Sequence, residues 1–292
     1  MISKGDPVKL FGILGHPLLH TLSPPMQEKA FQEVGIRAYY LIFDAAPKDV
    51  RSLLKKLRHF LVEGFNVTVP YKETVIPYLD RITPEARAIG AVNTVFRKGK
   101  KWIGANTDVL GFIDALTEEG RFRPRGKSAV ILGAGGSARA VAYGLAEKKV
   151  KRIVVVNRHK QRALKLVRDY QKLFPKCQWE AMSLEAAPLS DAISRAHLVV
   201  NATSCGLKSS DPSILSARLV PEGRLGHKKL FYDLIYNPQQ TKLLKLASRR
   251  GHATLNGLAM LAYQGAHAFR LWTGKKPPVG SMKEVLEKCS ND

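Results

Sequence analysis

Lys72 and Asp108 are the pair in this chain best suited to moving a proton. Lys72 follows Gly64-Phe65-Asn66-Val67-Thr68-Val69-Pro70-Tyr71, whose alternation over 65–69 predicts a strand that Pro70 ends. Its ammonium then stands just past the carboxyl end of a strand, where open α/β sheets hold their ligands. Asp108 follows Ala105-Asn106-Thr107 and falls in the first turn of a helix expected to reach about Glu119, where a helix N-terminus favours negative charge. Each has an ordinary alternative, Lys72 as a surface lysine and Asp108 as an N-terminal helix acid. Paired across a cleft, they make a proton-transfer dyad in which each holds the other charged beside a hydroxyl or carbonyl.

A second constellation is Gly133-Ala134-Gly135-Gly136-Ser137-Ala138, which fits G-x-G-x-x-A. Ser128–Leu132 reads as a buried strand before it and Arg152–Val156 as a second strand, roughly one βαβ unit of about thirty residues. Gly133 permits the sharp reversal, Gly135 removes a Cβ that would hold a phosphate off the backbone, and Ala138 lets the helix lie close to the strand. The helix then points unpaired N–H groups at a pyrophosphate. NAD sites place an acid about 20 residues beyond the glycines to hold the ribose hydroxyls. Here that corner carries Asn157-Arg158-His159-Lys160 with Arg162 behind, and no acid. The expected cofactor is therefore NADP, its extra phosphate meeting Arg158; the other reading is a solvated basic turn.

Other polar residues sit where ligands are held. Thr21 and Ser23 precede Pro24, a helix start at which Ser23 is expected to cap, and the two hydroxyls either meet a carboxylate or simply shape the turn. Asn93 lies within an apolar run over 88–95, read as a strand. Gln264 interrupts a long apolar helix over 254–272 and needs either backbone or a ligand hydroxyl as partner. Tyr236 ends an apolar strand over 229–236 that Asp233 interrupts, and either faces the cleft or lies at the edge of the core. Thr203 belongs to the small polar run 202–207 expected beneath a cofactor, where Cys205 has no histidine or base arranged to make it a nucleophile.

These residues need a scaffold of alternating strands and helices. Strands are expected at 8–14 and 39–43, helices at 26–34 and 49–60, and strand–helix alternation over 128–247 predicts a parallel, doubly wound domain. A surface helix over 160–172 is expected to anchor through Leu164, Val167 and Phe174, and a last helix runs over 282–288. At 292 residues there is room for two modest domains. No apolar run reaches membrane length and the first residues carry no signal core, so a cytoplasmic protein without membrane partners is expected. Three scattered cysteines make neither a metal site nor a disulfide framework, and no metal is expected. The net charge of +23 is spread along the chain without aromatic interleaving, which argues for general attraction of small anions rather than a dedicated nucleic-acid partner.

Taken together the motifs resemble the shikimate dehydrogenase family over nearly the whole chain: GHPLLHTLSP, NVTVPYKE, IGAVNTV, GANTDVLGF, GAGGSARA with NRH, NATSCG, YDLIYNPQQTKLL and NGLAMLAYQGAHAFRLW, in that order. The resemblance implies an N-terminal α/β substrate domain (1–108) completed by C-terminal helices (254–292), around a central Rossmann-type NADP domain (109–253). It implies Lys72 and Asp108 as the catalytic pair. Thr21, Ser23 and Tyr236 would receive the substrate carboxylate, and Thr68, Asn93, Asp108 and Gln264 the ring hydroxyls. The loop Gly133, Ala134, Gly135, Gly136, Ser137, Ala138 with Asn157, Arg158, His159, Lys160, Arg162, Thr203 and Gly257 would bind NADP. The implied reaction is the reversible NADPH-dependent reduction of 3-dehydroshikimate to shikimate, by a monomer or homodimer. A quinate/shikimate dehydrogenase with relaxed substrate or cofactor choice and a non-catalytic basic Rossmann-domain nucleotide or nucleic-acid binding protein are the alternatives. Thr21, Gln27, His159 and Ala259 stand where the family commonly has serine, histidine, threonine and glycine.

Overall fold

β1 (Lys9–Gly15) is the buried central ribbon of the first sheet, with β2 (Ala38–Asp44) parallel on one side and β3 (Gly64–Val67) parallel on the other. The computed structural model describes residues 7–18, 21–184, 188–207, 220–222 and 228–290. The chain divides into two compact units, Met1–Gly111 with Leu261–Asp292, and Phe112–Met260.

In the first unit, α1 (Ser23–Glu33) links β1 to β2, and α2 (Val50–His59) links β2 to β3. α2 is helical and docked because Val50, Leu54 and Leu57 recur on one face and bury, while its lysines and arginines stay outside. After β3 come β4 (Arg81–Ile82), α3 (Pro84–Ile89), β5 (Thr94–Lys98) and β6 (Lys101–Ala105), giving a mixed sheet in the order β2-β1-β3-β5-β6-β4. β5 runs antiparallel to both β3 and β6. The strand expected over 88–95 is thus only its last two residues. Thr83 accepts the Ala86 N–H at 3.2 Å, Pro84 opens the helix and Gly90 closes it at φ 74°. Those caps outweigh the apolar run that suggested a strand. α4 (Asp108–Asp114) follows β6 and relaxes into a π turn over Ala115–Glu119.

The second unit carries β7 (Ser128–Leu132), α5 (Gly136–Glu147), β8 (Arg152–Val156), α6 (Lys160–Leu173), β9 (Gln178–Met182), α7 (Leu189–Arg195), β10 (Leu198–Asn201), β11 (Leu230–Asp233), α8 (Lys242–Arg249) and β12 (Ala253–Leu255). Its sheet is wholly parallel in the order β9-β8-β7-β10-β11-β12, so the direction of winding switches between β7 and β10. This is the doubly wound Rossmann arrangement. α6 anchors through Ala163, Leu166, Val167 and Tyr170; Leu164 is only half-buried. The strand expected over 229–236 stops at Asp233, which leaves Tyr236 in the following loop.

The helix expected over 254–272 begins later, since residues 253–255 pair with β11 as β12 and α9 spans Leu258–Thr273. α10 (Val279–Cys289) follows and packs on α1. Within the first unit Phe269 and Trp272 of α9 close an aromatic cluster with Phe11, Phe31 and Tyr40. The indole N–H of Trp272 donates to the Val95 carbonyl at 2.9 Å, over Gly64, where any Cβ would strike the ring. Among the described residues no helix is long and apolar enough to cross a membrane.

Candidate active site

Lys72 leaves β3 through the turn Thr68-Val69-Pro70-Tyr71, in which Thr68 donates its N–H to the Leu14 carbonyl and accepts that of Tyr71. The Tyr71 hydroxyl donates to the Ala45 carbonyl and the Lys72 carbonyl accepts the Val92 N–H, so the backbone at Lys72 is tied on both sides. Asp108 opens α4. The Asn106 side chain bridges to it, its oxygen accepting the Asp108 N–H at 3.1 Å while its amide donates to the Ala91 carbonyl. The two ends meet. Lys72 Nζ lies 2.6 Å from Asp108 Oδ2, with side chains 14% and 5% exposed, so the pair is sheltered yet open on the lysine side. An ion pair this short and dry is strongly directional.

Asn93, just ahead of β5, organises the rest. Its amide nitrogen lies 2.8 Å from Asp108 Oδ1, 3.0 Å from Thr107 Oγ1 and 3.3 Å from Gln264 Oε1. Its oxygen accepts the Thr107 N–H at 2.7 Å and the Thr94 hydroxyl at 3.0 Å. Gln264 arrives from α9, its own amide donating to the Leu261 carbonyl at 2.9 Å. Gly111 makes that approach possible, since a Cβ there would sit 2.6 Å from the Gln264 backbone nitrogen. Lys72, Asn93, Asp108 and Gln264 therefore form one connected cluster in the first unit.

The turn before α1 lies in the same unit. Asp44 holds its approach, accepting the Leu18 N–H at 2.9 Å and bonding the His16 ring at 2.7 Å, and those two contacts, the backbone one first, keep its carboxyl below the ordinary range. Ser23 differs from its expected role as a cap: it is the first helical residue, and its N–H donates to Thr21 Oγ1 at 3.3 Å. Deeper in the sheet the buried Tyr40 phenol donates to Asn66 Oδ1 at 2.7 Å. Tyr40, Asn66, Thr94 and Thr107 were not singled out from the sequence, although buried polar residues inside apolar strands are a usable signal.

In the second unit the glycine loop follows β7. Gly133 takes φ 111°, a conformation open to glycine, with its N–H on the Val156 carbonyl and its Cα against the Ala202 carbonyl beyond β10. Gly135 caps α5 with no side-chain bond, and a Cβ there would meet nothing within 4 Å. That open cradle at a helix N-terminus, with Gly136, Ser137 and the buried Ala134 and Ala138 around it, fits a pyrophosphate. Asn157 folds back to the His159 carbonyl at 3.0 Å, and Arg158, His159, Lys160 and Arg162 are exposed beyond β8, a cationic corner that fits a further phosphate. Thr203 is fixed by Asn201, whose oxygen accepts both its N–H and its hydroxyl, at 3.1 and 2.7 Å. Gly257 packs closely: its N–H donates to the Ile235 carbonyl, and a Cβ would collide with the Leu234 carbonyl oxygen.

Residues 13–95 match the family model for the shikimate dehydrogenase substrate binding domain, 117–238 that for shikimate / quinate 5-dehydrogenase, and 257–287 that for the shikimate 5'-dehydrogenase C-terminal domain. Shikimate dehydrogenase (NADP(+)) of Moorella thermoacetica is 44% identical over 99% of this chain and 96% of its own length. The protein of the same name from Desulforamulus reducens is 42% identical over 95% and 94%. The crystal structure of shikimate 5-dehydrogenase from Thermus thermophilus in complex with NADP(H) and shikimate superposes with a TM-score of 0.84 at 38% identity, covering 96% of this chain and 99% of that one. With a Rossmann sheet behind the glycine loop and likeness of this extent from end to end, the chain belongs to the shikimate dehydrogenase family.

Proposed function

We propose that the protein is an NADP-dependent oxidoreductase that interconverts 3-dehydroshikimate and shikimate, the observation carrying this being the Lys72–Asp108 pair held by Asn93 beside Gln264. The substrate's ring hydroxyls fall to Asp108, Asn93, Gln264 and Thr68, and its carboxylate to the turn at Thr21 and Ser23. When bound, NADPH supplies a hydride from the nicotinamide to the C3 ketone. The glycine loop holds its pyrophosphate, and Arg158 with its basic neighbours the extra phosphate.

As the hydride arrives, negative charge gathers on the C3 oxygen. The Lys72 ammonium is already aimed by Asp108 and pays no reorganisation to stabilise that charge and donate the proton that completes the alcohol. Asp108 remains a carboxylate throughout: it orients Lys72 through Oδ2, while Oδ1 is held by Asn93. In the oxidative direction Lys72 takes the hydroxyl proton back. The chemistry calls for small-molecule ligands alone, in the cytoplasm.

Lys72→Ala tests this. Turnover is expected to fall by about 10²–10⁴ with KM for shikimate changed only a few-fold, because the interaction removed is one made mainly in the transition state. A rise in KM with turnover intact contradicts the role given to Lys72.

A further inference from the structure

Tyr263, Gln264 and Gly265 are consecutive in α9, and each is held by a different element of the first unit. The Tyr263 phenol accepts from Lys283 Nζ of α10 at 2.9 Å, with the ammonium 4.4 Å from the ring centroid. Gln264 Oε1 faces the Asn93 amide nitrogen at 3.3 Å. The Gly265 carbonyl accepts from Gln27 Nε2 of α1 at 3.0 Å. At 3.3 Å the Asn93–Gln264 bond is at the weak end of its range, so it cannot by itself fix how deep α9 sits. The bond from Gln27 to the α9 backbone, buried and next to Gln264, is better placed to do so.

Gln27 is fully buried, yet only half of its carboxamide is used. Its nitrogen donates to Gly265, while among the described residues its oxygen has no partner. A buried acceptor left unpaired costs stability, so packing alone would favour an apolar side chain of the same length, such as methionine. The amide donor is therefore what this position uses. Gly265 brings it within reach, because a Cβ there would strike the Met26 methyl and lie 3.0 Å from Gln27 Nε2. Gly111 of α4 makes the companion approach, against the backbone of Gln264 itself, so α9 closes on α1 and on α4 at adjoining residues.

We propose that Gln27 is a positioning residue for substrate binding: by holding the Gly265 carbonyl it sets the depth of α9 and so places the Gln264 side chain against Asn93 and Asp108. The proposal rests on the function proposed above, in which Gln264 meets a ring hydroxyl of the substrate. Gln27 itself touches no ligand. It acts through Gln264, whose carboxamide must lie within hydrogen-bond reach of a small, rigid ring, where a shift of a few tenths of an ångström in the helix is felt.

Steady-state kinetics with shikimate at saturating NADP reads this out. Gln27→Met keeps the length of the side chain and removes the donor. It is expected to raise KM for shikimate about fivefold, with kcat within about twofold and Tm no lower than wild type, because the unpaired oxygen goes as well. Gln264→Ala removes the group through which Gln27 acts, so adding Gln27→Met to it is expected to change KM by less than about 1.5-fold, the non-additivity of a coupled pair. Gln27→His, which restores an N–H donor, is expected to keep KM within about twofold of wild type. A KM for Gln27→Met within about 1.5-fold of wild type, or the same fold-increase with and without Gln264, overturns the proposal. Gln27→Leu carries the same comparison where Gln27→Met fails to fold. Wild-type protein that turns over no shikimate is a different result: it overturns the function proposed above, and this proposal with it.

Discussion

Two carboxyls, Asp108 and Asp233, are buried in the described residues, and their surroundings set them to different tasks. Asp108 has the Lys72 ammonium nitrogen 2.6 Å away, the arrangement on which the proposed proton transfer rests. Asp233 at the end of β11 meets neutral donors: the Asn201 amide and the Ile235 N–H on one oxygen, the Thr241 hydroxyl on the other. Burial outweighs these bonds and pushes its pKa up to about 6. The folded protein therefore keeps a proton that the unfolded chain has released, so the stability Asp233 contributes is full below about pH 4 and is lost as pH rises through about 6. Through Asn201 the same carboxyl supports Thr203 in the loop beside Gly133. Asp233→Asn is expected to remove this slope: the difference in Tm between wild type and variant changes across pH 4–6 by the equivalent of about 3 kcal/mol and is flat above it. Parallel profiles for the two proteins in that window contradict the assignment.

At the scale of elements, the site depends on how closely α4 and α9 approach, because one carries Asp108 and the other Gln264. Gly111 is the residue that permits it. Gly111→Ala is expected to cost about 1–3 kcal/mol in stability and, by spreading the two helices, to lower kcat/KM for shikimate about tenfold without altering any group that touches the ligand. A variant with wild-type kcat/KM and lowered Tm would place Gly111 in packing alone. Much of this scaffold was legible in the sequence. β7, the glycine loop and β8 follow from an apolar strand, a G-x-G-x-x-A turn and a second apolar strand, whose local signals agree with the tertiary fold. Residues 88–95 read as a strand because an apolar run carries no period of its own, while the decisive marks are the caps Thr83, Pro84 and Gly90. Residues 254–255 look helical beside the apolar helix and become strand only through pairing with β11, a long-range contact. Lys72 and Asp108 are legible in the sequence as a candidate pair; the 2.6 Å contact that joins them depends on the Asn93 and Asn106 bridges, which spacing alone does not reveal.

Over the whole molecule, the formal charge of +23 has a physical use without a nucleic-acid motif. A carboxylate substrate and a triply phosphorylated cofactor are both anions, and a positive field raises their encounter rates, an advantage that salt screens. In the proposed function the two units divide the chemistry, with Lys72, Asp108 and their polar cluster in the first and the glycine loop with its cationic corner in the second. If these residues oxidise and reduce one alcohol with one cofactor, absorbance at the reduced-nicotinamide band will show it, with purified protein given shikimate or quinate, each with NADP or NAD. Strong turnover is expected with shikimate and NADP and little with the other combinations. Turnover that favours quinate contradicts the proposed substrate, turnover that favours NAD contradicts the phosphate role given to Arg158, and silence in all four, from folded protein, contradicts the catalytic role proposed for Lys72 and Asp108.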